Sequence, residues 1–250
     1  MLIIISPAKQ MVSSDYGLAP QRWPRFYAEA QGIVEQLKPL SVNELKTLYG
    51  SSVSIAALNH ARLQEFGKAQ LPALTPAIYA YQGLQYQSMG AKVLTDTQYQ
   101  WLEQHLRILS ALYGLLRPFD GVEPYRLEMQ ARFCPQAGQS LYDFWRPRVT
   151  QALLEQGKSP RPVLINLASA EYAKAVDLSA FDCYDVRFCV RKDDKLVEQG
   201  AWCKKARGAM VHYLSAIEAS VPQAMQGFND FNFHFAPQAS SERQYVFIKE

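Results

Sequence analysis

Several absences narrow the chain before its motifs do. Its four cysteines, Cys134, Cys183, Cys189 and Cys203, form no C-x-x-C pair, and His60, His105, His212 and His234 are scattered without zinc-ligand spacing. Reduced, buried thiols are therefore expected, with no metal site and no cofactor. The apolar opening Leu2-Ile3-Ile4-Ile5 ends at Pro7, too short for a signal-peptide core or a membrane span. A cytoplasmic chain without membrane contact follows as the expectation. No G-x-S-x-G, P-loop, dinucleotide fingerprint or H-E-x-x-H occurs, so no catalytic residue is assigned from a motif. The net charge of +3 is also too small to name a polyanionic partner, and any basic site must be local.

What is present suffices for a core. With 250 residues and 48% hydrophobic content the chain buries enough surface without disulfides. Leu2 to Ser6 reads as a buried strand that leaves Lys9 at its exit. Trp23 to Leu37 is helical, Pro39 breaks the pattern, and Ser41 with Glu44 forms a capping box. The turn Tyr49-Gly50-Ser51-Ser52 then joins two helices in a hairpin spanning Val42 to Phe66. Gln98 to Leu116 carries two apolar stripes and reads as one central buried helix. Val163 to Leu167, Asp185 to Val190 and Val197 to Cys203 read as strands, the last two joined by the charged turn Arg191 to Lys195. The first strand needs those later partners, and no linker separates the halves. The expectation is an α+β fold: a single domain over 1–250, with a central mixed sheet, flanking helices and a helix-hairpin-helix at about 42–66.

Three places carry candidate chemistry. Lys204-Lys205-Ala206-Arg207-Gly208 reads as the opening of a helix, where cations are unfavourable unless an anion sits opposite. Gly208 permits close approach, and a solvated basic face accounts for the same residues. At the hairpin, Ser51 and Ser52 precede a helix start suited to phosphate, with Asn59 and Arg62 further along the second helix. An ordinary capped hairpin explains these too. Asn166 and Ser169 lie at a strand's carboxyl end, where ligands collect in α/β sheets, with Glu171 beyond. Finally, Arg117 and the run Pro124-Tyr125-Arg126-Leu127-Glu128-Met129 interleave arginines with a ring able to stack on a base, a pattern that core packing with paired ions also explains.

Taken together, Ile5-Ser6-Pro7-Ala8-Lys9, Gln104-His105-Leu106-Arg107, Leu112 through Pro118, Pro124 through Met129, Leu141-Tyr142-Asp143-Phe144-Trp145, Ile165 through Ser169 with Glu171-Tyr172, Lys204 through Gly208, and Gly227-Phe228-Asn229 resemble the motifs of the YaaA family in order and spacing. That resemblance implies protection against peroxide, lowered free intracellular iron, and DNA binding on a mixed α/β fold. It matches Ser52, Asn59 and Arg62 to the family's hairpin, and Lys9, Lys204, Lys205 and Arg207 to its basic residues. The expected partner is duplex or distorted, bubble-containing DNA, held by a monomer with little sequence selectivity. The rival reading is an enzyme acting on a nucleotide-like or phosphorylated small molecule, in which Lys9, Asn166 and Lys204 line the pocket and Glu171 is the acid or base. Two departures stand out. Gly83-Leu84-Gln85-Tyr86 replaces the family's Gly-Asp-Val-Tyr, and Gln10-Met11 replaces Thr-Leu, with Ser13 to Pro24 irregular.

Overall fold

A computed structural model describes residues 1–13, 18–157, 159–193 and 195–250. Part of the irregular first loop and one residue of the charged turn after Arg191 therefore lie outside the described residues.

Five strands run parallel at the centre of one sheet, in the spatial order Gln244–Lys249, Asp182–Lys192, Val163–Leu167, Leu2–Ile5 and Leu106–Ser110. Antiparallel strands finish it: Phe233–Phe235 and Gly114–Leu116 at the two edges, and Lys195–Val197 beside Asp182–Lys192. The expected α+β arrangement around a central mixed sheet is thus present. Ile3, Ile4 and Ile5 are all fully buried, which requires cover on both sheet faces and explains why this strand is uninterruptedly apolar. Its neighbours in the sheet are the next two strands of the parallel set in chain order, Leu106–Ser110 on one side and Val163–Leu167 on the other. The chain therefore leaves the centre in opposite directions, which opens a switch point at the carboxyl ends of Leu2–Ile5 and Val163–Leu167.

Two elements differ from the sequence expectation. Gln98 to Leu116 is not one helix: a helix Asp96–His105 ends where Leu106–Ser110 begins as a strand, and the chain reverses into Gly114–Leu116. A continuous apolar run satisfies a buried helix and a buried strand equally. Pairing to Leu2–Ile5 decides it. The reversal is built by Ser110, whose Oγ accepts the N–H groups of Leu112 and Tyr113 at 3.2 and 2.9 Å. Gly114 completes it at φ 65°, with the ring of Trp145 filling the space a Cβ would need.

Nor is Val197 to Cys203 a strand. Only Lys195–Val197 pairs, and a helix runs Gly200–Ala216. Cys203, Ala206 and Met210, all buried, carry the helical spacing back past the point where a strand was expected. Lys204, Lys205 and Arg207 consequently lie in the second turn and beyond, not at the helix start. The electrostatic argument from a helix amino end does not apply to them, because the end effect fades within the first turn.

The hairpin follows its sequence reading closely. Val42–Tyr49 begins with the Ser41–Glu44 capping box, Gly50 takes the left-handed conformation at φ 54°, and Ser52 caps Val53–Glu65 by accepting from Ile55 N–H.

Candidate functional site

The loop leaving the first strand is pinned from three sides. Ser6 Oγ donates to Ser169 Oγ at 3.1 Å and accepts Ser169 N–H at 2.8 Å, which ties together the two strand ends that flank the switch point. The Ser6 carbonyl accepts from Gln85 Nε2 and from Tyr86 Oη, both at 3.0 Å, fixing the helix Leu84–Met89 against the same loop. That helix packs in turn on Gly200–Ala216, close enough that a Cβ on Gly208 would stand 1.9 Å from the Gln85 carbonyl oxygen. The glycine serves approach between helices rather than approach of a ligand.

These contacts enclose a cavity of about 470 Å³ at the switch point, lined among others by Lys9, Glu128, Glu171, Lys204 and Arg207. Its charges are unevenly satisfied. Glu128 accepts from Lys9 Nζ at 2.9 Å and from Arg126 Nη2 at 2.8 Å, so both its oxygens are held. Glu171 receives only backbone donors, a long bond of 3.4 Å from Gln130 N–H and a weaker contribution from Met129 N–H. Burial pushes its carboxyl above the ordinary range; the nearby Glu128 adds to the rise, and the Gln130 bond and Lys9 oppose it. Lys204 and Arg207 make no ion pair among the described residues, and Arg207 Nε is shut off from solvent without an acceptor. Leu84, where the resemblance leads one to expect an acid, is also in this wall.

Two further hollows meet the cavity at Lys9. One, of about 1150 Å³, lies between the first hairpin helix and the strap that follows Glu128, and includes Thr47, Gly50 and Arg132. The other, of about 530 Å³, includes Asn59, Arg62 and Arg126. Lys9 is thus common to all three, with its side chain 61% exposed.

The residues chosen from sequence divide accordingly. Lys9, Ser169, Glu171, Lys204 and Arg207 come together at the cavity, and Asn59, Arg62 and Arg126 at the adjoining hollow. Asn59 is buried and donates to the Ile55 carbonyl, while Arg62 bonds the Met11 carbonyl and Asn59 Oδ1, so this polar edge is partly committed to the fold. At the hairpin tip Ser51 donates to the Ser52 carbonyl and its N–H is taken by Lys46. Val53 and Ser54 are exposed residues of the helix's first turn, where backbone N–H groups have no partner within the helix.

Asn166 holds its own strand end, donating to Asp185 and accepting from Ala168 N–H. Arg117 turns to Glu103, and Lys205 lies over the Trp202 ring. Tyr125 corrects an expectation: its ring is buried and its hydroxyl is bonded to Ser110 and Tyr81, so it cannot stack on a base. Sequence reasoning missed Glu128, Gln85 and Arg132; Glu128, within two residues of Arg126 and paired with it, was the one detectable locally.

The fold and the cavity together define a mixed-sheet protein with a charged cleft at its switch point. Residues 1–239 match the family described as peroxide stress protein YaaA, and the chain belongs to that family. It is 42% identical over 253 residues to a UPF0246 protein of Limosilactobacillus fermentum, covering all of both chains. It is 35% identical to a UPF0246 protein of Agathobacter rectalis, covering all of this chain and 99% of the relative. A third, from Desulfitobacterium hafniense, is 36% identical over all of this chain and 98% of its own. No helix among the described residues is long and apolar enough to cross a membrane.

Proposed function

We propose that this member of a peroxide-stress family works by binding DNA along the groove of hollows that meet at Lys9. The observation that carries the reading is their continuity: the hairpin Val42 to Glu65 opens onto the same groove as Lys9 and Arg132, which offers a backbone-tracking surface rather than a single pocket. In this reading Lys9 and Arg132 meet phosphates, and the N–H groups of Val53 and Ser54 take another at the start of the second hairpin helix. Lys9 exchanges its bond to Glu128 for a phosphate, with Arg126 left to hold the carboxylate. Tyr125 is buried and takes no part in base stacking in this reading. Sequence selectivity is low, because backbone contacts carry no base information. Lowered free iron belongs to this reading as a consequence in the cell rather than as metal held by the chain.

The test is a salt series by fluorescence anisotropy on duplex, single-stranded and bubble DNA. Affinity falls with salt at a log-log slope of about −0.9 per phosphate neutralised on duplex and about −0.7 on single strands. Lys9→Gln and Arg132→Gln each flatten that slope by about one contact on every sequence alike. Salt-insensitive binding, or none at low salt, refutes the proposal.

A further inference from the structure

The cavity behind Lys9 is built for something smaller than a nucleic-acid strand. Lys204 and Arg207 stand three residues apart on one helix face, both unpaired among the described residues. Across from them Glu128 is already neutralised by Lys9 and Arg126, which leaves Glu171 as the carboxyl with capacity to accept further donors. Arg207 lines the cavity without an ion-pair partner among the described residues, so a bound anion meets a guanidinium that no protein carboxylate already holds. At about 470 Å³ the cavity falls in the range of small-ligand sites, and it occupies the switch point where such sites form in open sheets.

We propose that this cavity binds a phosphate monoester on a hydroxyl-bearing body of nucleoside or sugar size. Its phosphate accepts from Lys204 and Arg207, and a ligand hydroxyl donates to Glu171. Two adjacent cations match a phosphate dianion better than a single carboxylate, and the guanidinium supplies paired donors to its oxygens. Glu171 sets what the phosphate is attached to, since an apolar body would cover its carboxyl and leave it only the backbone donors of Gln130 and Met129. Raised by burial, that carboxyl also sits closer to neutrality than an ordinary surface glutamate, suited to exchanging a proton with the hydroxyl it meets. This inference stands independently of DNA binding.

Thermal melting of the full chain with AMP, ribose 5-phosphate, inorganic phosphate and adenosine tests it. The two esters raise Tm by about 5–10 °C at a hundredfold excess over Kd, and adenosine does not. Inorganic phosphate acts weakly, because it cannot reach Glu171. Arg207→Gln and Lys204→Gln each weaken ester binding tenfold or more; Lys204 is exposed, so its variant folds even if Arg207→Gln does not. Arg132→Gln lies outside the cavity and keeps the full ester response whatever it does to DNA, which separates this inference from the groove. No shift with either ester, or an inorganic phosphate response equal to the esters and unchanged in both variants, overturns it.

Discussion

Replacing Gly208 with alanine tests the contact on which the cavity depends. In an exposed helix this change stabilises by about 1 kcal/mol through helix propensity. Here the new Cβ would lie 1.9 Å from the Gln85 carbonyl oxygen, 2.8 Å from its carbon and 3.0 Å from Met89 N. Close carbon–oxygen contacts need about 3.3 Å, so the two helices must part by about 1.4 Å. No rotamer change relieves the clash, because both sides are backbone. Overpacking of this kind costs about 3 kcal/mol, at the upper end of the usual range, and the propensity gain leaves a net loss of about 2 kcal/mol. For a chain of this length Tm falls by about 4–8 °C, and the urea midpoint drops with little change in slope. The displacement also carries Gln85 and Tyr86 away from the Ser6 carbonyl, so phosphate-ester affinity falls with stability. A Gly208→Ala protein as stable as its parent, or more so, refutes the packing argument outright.

Two further outcomes are expected. The Asp120 carboxyl is pushed up to about 7, chiefly by burial; its Oδ2 accepts Arg117 N–H at 2.8 Å, while Oδ1 has no hydrogen-bond partner among the described residues and lies 3.6 Å from Arg22. With the folded pKa above the unfolded one, the unfolded chain releases this proton first, so stability falls as pH rises from about 4 to about 7 and then levels off. Asp120→Asn keeps an acceptor for Arg117 and should flatten that window in urea titrations by some part of about 4 kcal/mol; an unchanged pH profile would exclude Asp120 as its source. Among the thiols, Cys183 is pushed up to about 12 by burial, then by Asp185 and Asp182, while Cys134 is exposed. Peroxide or iodoacetamide should mark Cys134 first in peptide mass mapping, since Cys183 holds about a thousandfold less thiolate than an ordinary cysteine. Earlier modification of Cys183 in the native protein would contradict its burial.

Local chemistry was readable where it acts locally. The Ser41–Glu44 box, the left-handed Gly50 and the Ser52 cap each involve residues within four positions of one another, and the hairpin they build matches its sequence reading to within about one residue. Leu106–Ser110 was not readable in the same way. Its identity as a strand depends on Leu2–Ile5, some hundred residues earlier, and no window of apolar periodicity contains that partner.

The site inherits the same division. Lys9, Asn166, Ser169 and Glu171 were found because strand exits are recognisable, and the sheet does bring Lys9, Ser169 and Glu171 to one cavity. Lys204 and Arg207 reach that cavity for a reason different from the one their sequence suggests. Gly200–Ala216 starts a turn earlier, so no helix end strains against their charge; what positions them is the Gly208 contact with Gln85 one turn beyond Lys204. Gln85 in turn holds Ser6, and Ser6 holds Ser169, so a chain of close contacts runs from the cation-bearing helix to both strand ends at the switch point. The two cations are therefore fixed relative to Glu171 by packing. A ligand that spans them meets preset geometry and does not have to order the wall as it binds.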